Sequence, residues 1–352
     1  MHPWIRGVLI NKHVPVIEVW HIHRFRTRWE NLRRLPRVPI SHAYVSYLEK
    51  TGELLRLWRH SEQTKEAFRH WITTTLLAPI PILSRCPAFL VTYKPLVVQM
   101  SRIVLVRAGW YYWARGWTSV SVHTTDGMYR IWSRVVAGTR PIVFFPGVGL
   151  GFVPYVSYLS HTGRTVYAIE VPNLSNLSWE QTVSIPRTRT VLQAFHTVVP
   201  EEVVVDIMGH SMGTFGVSLL VNGLPSPRIG AIVLFDPFCH PVHVLQTQRV
   251  LFAATQTGIL SWIAHHMIGR DLEVQAFALF SRPEETTLWR TDYPPILNMW
   301  SGDDMFLDHT LLHVEGQTHH VVPGNHGSSI RLRHFHHVAA FLEENASTEL
   351  HR

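Results

Sequence analysis

Cysteine is almost absent from this chain: Cys86 and Cys239 are the whole supply. A disulfide framework is therefore excluded, and a reducing compartment is compatible. Charge is also scarce, at 16% of 352 residues against a typical ~25%. Acid is scarcer than base, which leaves a net charge of +7. No basic helix, zinc pattern or RNP signature accompanies that charge, so nucleic acid is not an expected partner. Long apolar runs are missing. Trp71–Leu83 is uncharged, but Pro79 and Pro81 break it, and its thirteen residues are too few to span a bilayer. Histidine is abundant at 24 copies, yet no H-E-x-x-H or C-x-x-C occurs. Pairs such as His21/His23, His265/His266 and His334/His337 stand without further ligands, so neither a metal nor another cofactor is expected. Repeats and low-complexity tracts are absent too. The N-terminus has no charged n-region followed by an h-region and a cleavage site. The expected location is therefore intracellular, with the N-x-S sequons at Asn173, Asn176 and Asn345 unused.

What is present centres on Gly209-His210-Ser211-Met212-Gly213. The apolar run Val203–Met208 precedes it, and Thr214–Leu220 follows at helical spacing. Strand, glycine-flanked turn and helix are the context a G-x-S-x-G nucleophile elbow needs. Gly209 and Gly213 have a steric role there, because the turn strains the serine backbone and brings strand and helix close. Upstream, Pro141–Phe145 reads as a buried strand that runs into Pro146-Gly147-Val148-Gly149-Leu150-Gly151. Its spacing matches neither phosphate-binding glycine pattern.

Downstream come acids and a histidine. Ile296–Trp300 reads as a strand ending in Ser301-Gly302-Asp303-Asp304, which leaves either aspartate as the acid of a Ser…Asp…His order. Asp236, at the end of the strand Ala231–Phe235, is a further candidate. His326 stands in a glycine-bounded loop after the acid and before a final amphipathic helix expected at about 329–344. His319 and His320 fall within a strand, from which a serine at the sheet's end is hard to reach.

Four ordered motifs carry a resemblance: Gly147-Val148-Gly149-Leu150-Gly151, Gly209–Thr214, Asp236-Pro237-Phe238-Cys239 and Ser301-Gly302-Asp303-Asp304. Residues from about 140 to 345 resemble the α/β-hydrolase superfamily. More narrowly, they resemble a group common in fungi and protists, with an apolar N-terminal region and a G-H-S-x-G-T elbow. The resemblance implies a mostly parallel eight-stranded sheet covered by helices. It also implies a triad of Ser211, Asp304 (in preference to Asp303) and His326, with an oxyanion hole formed by the N–H groups of Val148 and Met212. One departure stands out. The group usually has His-Gly before the oxyanion residues, and here it is Pro146-Gly147, which removes a donor and stiffens the loop.

The remaining chain fits around that core. Val120 and Ile131 belong to strands flanking Thr124-Thr125-Asp126-Gly127, a hairpin signal. Strands alternating with helical stretches then argue for a parallel sheet covered on both faces. We divide the chain into a basic, apolar N-terminal extension (1–117), expected to be helical and membrane-associated, a hydrolase domain (118–345) and a tail (346–352). A lid insert at 237–295 has apolar residues at helical spacing, which suits acyl chains. Arginine clustering at 24–37 and the Trp110–Trp113 aromatics point to a membrane surface. The expected activity is cleavage of lipid-like carboxylic esters by a serine hydrolase. The alternative is a hydrolase-fold protein that binds a lipid or a protein partner without turnover.

Overall fold

The structure, a computed structural model, describes residues 115–148, 151–172, 174, 185–240, 283–288, 292–304, 306–307, 309 and 316–347. The N-terminal extension up to 114 and most of the expected lid lie outside the described residues, as do Gly149, Leu150 and most of the tail. Among the described residues, no helix is long and apolar enough to cross a membrane.

The chain opens with a hairpin of β1 (Thr118–Thr124) and β2 (Gly127–Arg134), whose register pairs Thr124 with Gly127. Thr125 and Asp126 alone make the turn. The Asp126 N–H donates to Thr124 Oγ1 (3.2 Å), and Gly127, the residue after the turn, has a positive φ of 120°, which glycine adopts without steric cost. Strands and helices then alternate: β3 (Ile142–Phe145), α1 (Val156–His161), β4 (Val166–Glu170), α2 (Thr188–His196), β5 (Val205–His210), α3 (Thr214–Val221) and β6 (Ile229–Phe235). The short α4 (Pro283–Thr286), β7 (Ile296–Ser301), β8 (Thr318–Val322) and α5 (Phe335–Ser347) complete the order.

All eight strands form one sheet in the order β1-β2-β4-β3-β5-β6-β7-β8. β2 is antiparallel to both neighbours, and every pairing from β4 to β8 is parallel. Parallel strands need helical crossovers, which cover both faces, so the strands become apolar throughout rather than alternating. Every residue of β3, β5, β6 and β7 is buried. Strand geometry still sorts their side chains two ways. Ile142 and Phe144 join Val233, Met299 and the α1 and α5 residues Leu159, Val338 and Leu342 in one core. Val143 and Phe145 join Ile207, Leu234 and the α2 and α3 residues Phe195, Val217 and Leu220 in the other. α3 is buried on all sides, as expected of a helix that is apolar all round.

α5 begins at Phe335, after a 3-10 turn at Leu332–His334, and so starts later than the pattern at 329–344 suggests. Ser329 is turned into the core instead, where its hydroxyl donates to Asp236 (2.8 Å). β4 leaves β3 on one side and β5 leaves it on the other. That reversal opens a crevice at the carboxyl ends of β3 and β5, the usual place for a ligand in such a sheet.

Candidate active site

Three loops meet at that crevice. β5 ends at His210, and Ser211 follows with a φ of 54°, a left-handed conformation that costs about 1–3 kcal/mol outside glycine. The turn is held by what surrounds it. A Cβ on Gly209 would stand 2.5 Å from Val217 Cγ2, and one on Gly213 would collide with the backbone oxygens of Phe145 and Pro146. Hence β5 and α3 approach as closely as they do, and the end of β3 rests on the elbow. Thr214 ties the turn down by donating to the Ser211 carbonyl (2.6 Å) while accepting the Phe238 N–H (2.9 Å). The loop after β6 is thereby fastened to the elbow after β5.

Ser211, His326 and Asp304 form one hydrogen-bonded chain. Ser211 Oγ lies 2.8 Å from His326 Nε2, and His326 Nδ1 lies 2.6 Å from Asp304 Oδ2. Asp304 also accepts the Phe306 N–H at Oδ1 (2.8 Å), which fixes the carboxylate. Its neighbour Asp303 is exposed, and its N–H holds the histidine loop through Gly324 O (3.0 Å). Phe238 and Phe306 stand edge-on to the His326 ring, at centroid distances of 5.7 and 5.1 Å. Burial disfavours a charge on that ring. The hydrogen bond and charge of Asp304, joined by the charge of Asp236, outweigh burial and hold its pKa above the ordinary 6.5.

Asp236 has a different environment from Asp304. It is fully buried, with a φ of 44°, and four donors surround its carboxylate. They are Ser301 N (2.6 Å), Ser301 Oγ (2.9 Å), Gly327 N (2.7 Å) and Ser329 Oγ (2.8 Å). Asp236 thus ties the end of β7 to the histidine loop and places a second negative charge beside His326. Oxygens of Asp236 and Asp304 and a ring nitrogen of His326 lie within 4.8 Å of one another. Such a cluster suits a cation. Here both carboxylates are engaged with the ring and with backbone and hydroxyl donors, and the positive charge they favour is that of His326 itself.

Met212 follows the serine, is buried and opens the 3-10 turn Ser211–Gly213 that leads into α3. Its N–H is therefore at the positive end of a buried helix. Val148 sits in the loop after β3 and is partly buried. Next to it, Gly147 donates its N–H to the Tyr155 hydroxyl (3.0 Å), which lies 2.8 Å from His210 Nδ1. Sequence reasoning did not single out Tyr155 or His210. His210 carried a signal, being an ionisable residue between a buried strand and the serine. Tyr155 carried none, because the contact is made across 55 residues. Cys239 is buried, with Thr214 and Ser218 as hydrogen-bond partners, and burial pushes its thiol up to about 12. It is an inert packing residue.

No protein-family model matches this chain, and no curated protein matches it in sequence. Solved structures do align with it. Carboxylesterase CesB from Bacillus subtilis is 13% identical with a TM-score of 0.46, covering 70% of this chain and 99% of its own. Naproxen esterase, also from Bacillus subtilis, is 16% identical with a TM-score of 0.45, covering 70% and 95%. The type II thioesterase BorB of the borrelidin biosynthetic cluster is 17% identical with a TM-score of 0.43, covering 61% and 95%. The strand order, the glycine-pinned elbow after β5 and the order serine, aspartate, histidine along the chain make this an α/β-hydrolase fold.

Proposed function

We propose that this protein is a serine hydrolase that cleaves carboxylic esters through an acyl-enzyme. The observation that supports it most is the continuous hydrogen-bonded chain from Ser211 Oγ through His326 to Asp304. In this reading His326 Nε2 takes the Ser211 proton as Oγ attacks the ester carbonyl, and the carbonyl π electrons move to oxygen. The Met212 and Val148 N–H groups receive that oxyanion. Collapse restores the carbonyl and expels the alkoxide, which leaves with the proton held by His326. Water then repeats the sequence on the acyl-enzyme and releases the acid. Asp304 orients the ring and stabilises its charged form throughout. Serine at the elbow suits acyl transfer and not haloalkane displacement, which needs a carboxylate nucleophile there.

Lipid-like acyl substrates are the class we favour, on the apolar sequence of the insert. Val242–Leu245 and Ile259–Ile263 lie outside the described residues, and their composition suits an acyl channel. With p-nitrophenyl esters, activity should rise along the chain-length series, since each buried methylene contributes about 0.8 kcal/mol. A preference for short or charged esters would overturn this choice. The arginine-rich and aromatic N-terminal sequence further suggests docking on an anionic membrane, to be tested by sedimenting the full chain with anionic vesicles at low and high salt. The central test is a fluorophosphonate probe. It should label wild-type protein at Ser211 and leave Ser211→Ala unlabelled. A folded wild-type chain that resists the probe would point to the alternative, a hydrolase-fold protein that binds a lipid or a protein partner without turnover.

A further inference from the structure

The loop after β3 must present an N–H at a fixed place, yet its own sequence offers little to hold it. Pro146 has no donor. The next residue, Gly147, gives its N–H to a side chain, the Tyr155 hydroxyl, at 3.0 Å. Accepting there leaves the Tyr155 proton for His210 Nδ1, 2.8 Å away. All three groups are buried, so each unmade bond would carry a desolvation cost. Gly147 is also the one residue type that fits: a Cβ would lie 2.8 Å from the Tyr155 oxygen and 3.0 Å from His210 Nδ1.

With Nδ1 accepting, the His210 proton resides on Nε2. That nitrogen has no hydrogen-bond partner among the described residues, and Asp236 Oδ2 stands 3.8 Å from it. The ring also lies 5.3 Å from the His326 ring, centroid to centroid. Burial first, and the charge of His326 second, push the His210 pKa down to about 3, with Asp236 opposing them. The ring is therefore neutral and keeps an acceptor at Nδ1 across the working pH range.

We propose that Tyr155 and His210 are positioning residues that set the oxyanion loop, holding the peptide that leads into Val148 against the residue beside the nucleophile. With Gly147 engaged, the Val148 N–H is the first donor of the loop without a partner among the described residues, and it is left to face the oxyanion. His210 Nε2 also stands 3.8 Å from Asp236, whose carboxylate accepts from Ser301 and Gly327. The oxyanion loop and the elbow thus share one buried hydrogen-bonded connection, from Gly147 through Tyr155 to His210. This inference rests on the ester-hydrolase reading above.

The test uses the full chain as wild type, Tyr155→Phe, His210→Leu, His210→Asn and the Tyr155→Phe/His210→Leu double variant. Each is measured for fluorophosphonate labelling rate, kcat and KM on a p-nitrophenyl ester, and thermal midpoint. A deleted oxyanion donor costs on the order of 10²–10³ in rate. A misaimed one should cost less, so Tyr155→Phe and His210→Leu should each label and turn over roughly 10–100-fold more slowly, with KM within about threefold. The double variant should be no slower than the worse single one, because the two act as a unit. His210→Asn keeps an acceptor where Nδ1 stands and should recover most of the loss seen in His210→Leu. Should Tyr155→Phe fail to fold, the two His210 variants decide between positioning and packing. Wild-type labelling rates in folded Tyr155→Phe, or equal losses in His210→Asn and His210→Leu, would overturn the positioning role and leave the hydrolase reading intact. Failure of wild-type protein to label would instead overturn the hydrolase reading.

Discussion

At the scale of single residues, neighbours decide what each ionisable group does. Asp303 and Asp304 are adjacent and chemically identical, but only Asp304 turns its carboxylate to His326 Nδ1, while Asp303 faces solvent. Asp304→Asn should therefore lower ester turnover by orders of magnitude and Asp303→Asn by little, as measured by kcat/KM. Ser211→Ala and His326→Ala should each remove nearly all turnover, with the double variant little worse, because the groups act as one unit. The two carboxylates beside His326 also set a pH dependence. A general base must be neutral, and the ring's pKa is held above 6.5, so kcat/KM should fall as pH drops through that raised value. Asp236→Asn removes one of the charges that raise it and should move the acid limb to lower pH. An unmoved limb in a folded variant would mean that Asp304 acts alone.

At the scale of elements, the elbow is a packing problem solved by glycine. At position 209 the atom in the way is the Val217 methyl, which can shift, whereas at 213 it is backbone of the β3 loop. Gly213→Ala should accordingly be the worse of the two. We expect losses of roughly 1–3 kcal/mol for overpacking, read from urea denaturation, with Gly213→Ala at the upper end. Of the helices, α3 and α5 were legible in the sequence, and β3, β5, β6 and β7 were legible from their apolar runs. The start of α5 was not. Nothing in Ser329-Ile330-Arg331 rules out a helix; the segment is held in a turn by the Ser329 hydroxyl donating to Asp236 and the Ser329 N–H donating to Ser301 Oγ.

At the scale of the whole molecule, the end of the sheet away from the site is held by charge. Asp206 is almost fully buried and is paired with Arg140 and Arg164, which are partly exposed. Asp206→Ala would leave two guanidinium groups against a buried face and should cost on the order of 3 kcal/mol in urea denaturation, with little effect on KM. His210 links stability to pH in the opposite sense from His326. Its folded pKa is about 3 against an ordinary 6.5. Between those values the unfolded chain binds the extra proton, so stability should fall as pH drops through that window, by up to a few kcal/mol. The raised pKa of His326 adds stability below 6.5 that is lost as pH rises through the raised value. Thermal midpoints of wild type and His210→Asn across pH 3–7 would separate the two, the variant showing the shallower acid loss.

Local sequence alone determined where buried strands run, where the hairpin turns and which serine stands between a strand and a helix, because these depend on neighbours in the chain and on two short periods. It also narrowed the acid and the histidine to a few positions through chain order. What only the tertiary structure decided are contacts across long separations. His326 meets Ser211 across 115 residues, Tyr155 meets His210 across 55, and Asp236 draws Ser301, Gly327 and Ser329 together across 65 to 93. Such polar contacts leave no periodic trace, since each needs only one side chain of the right length at the carboxyl end of the right strand. The parallel sheet is what brings those strand ends to one edge.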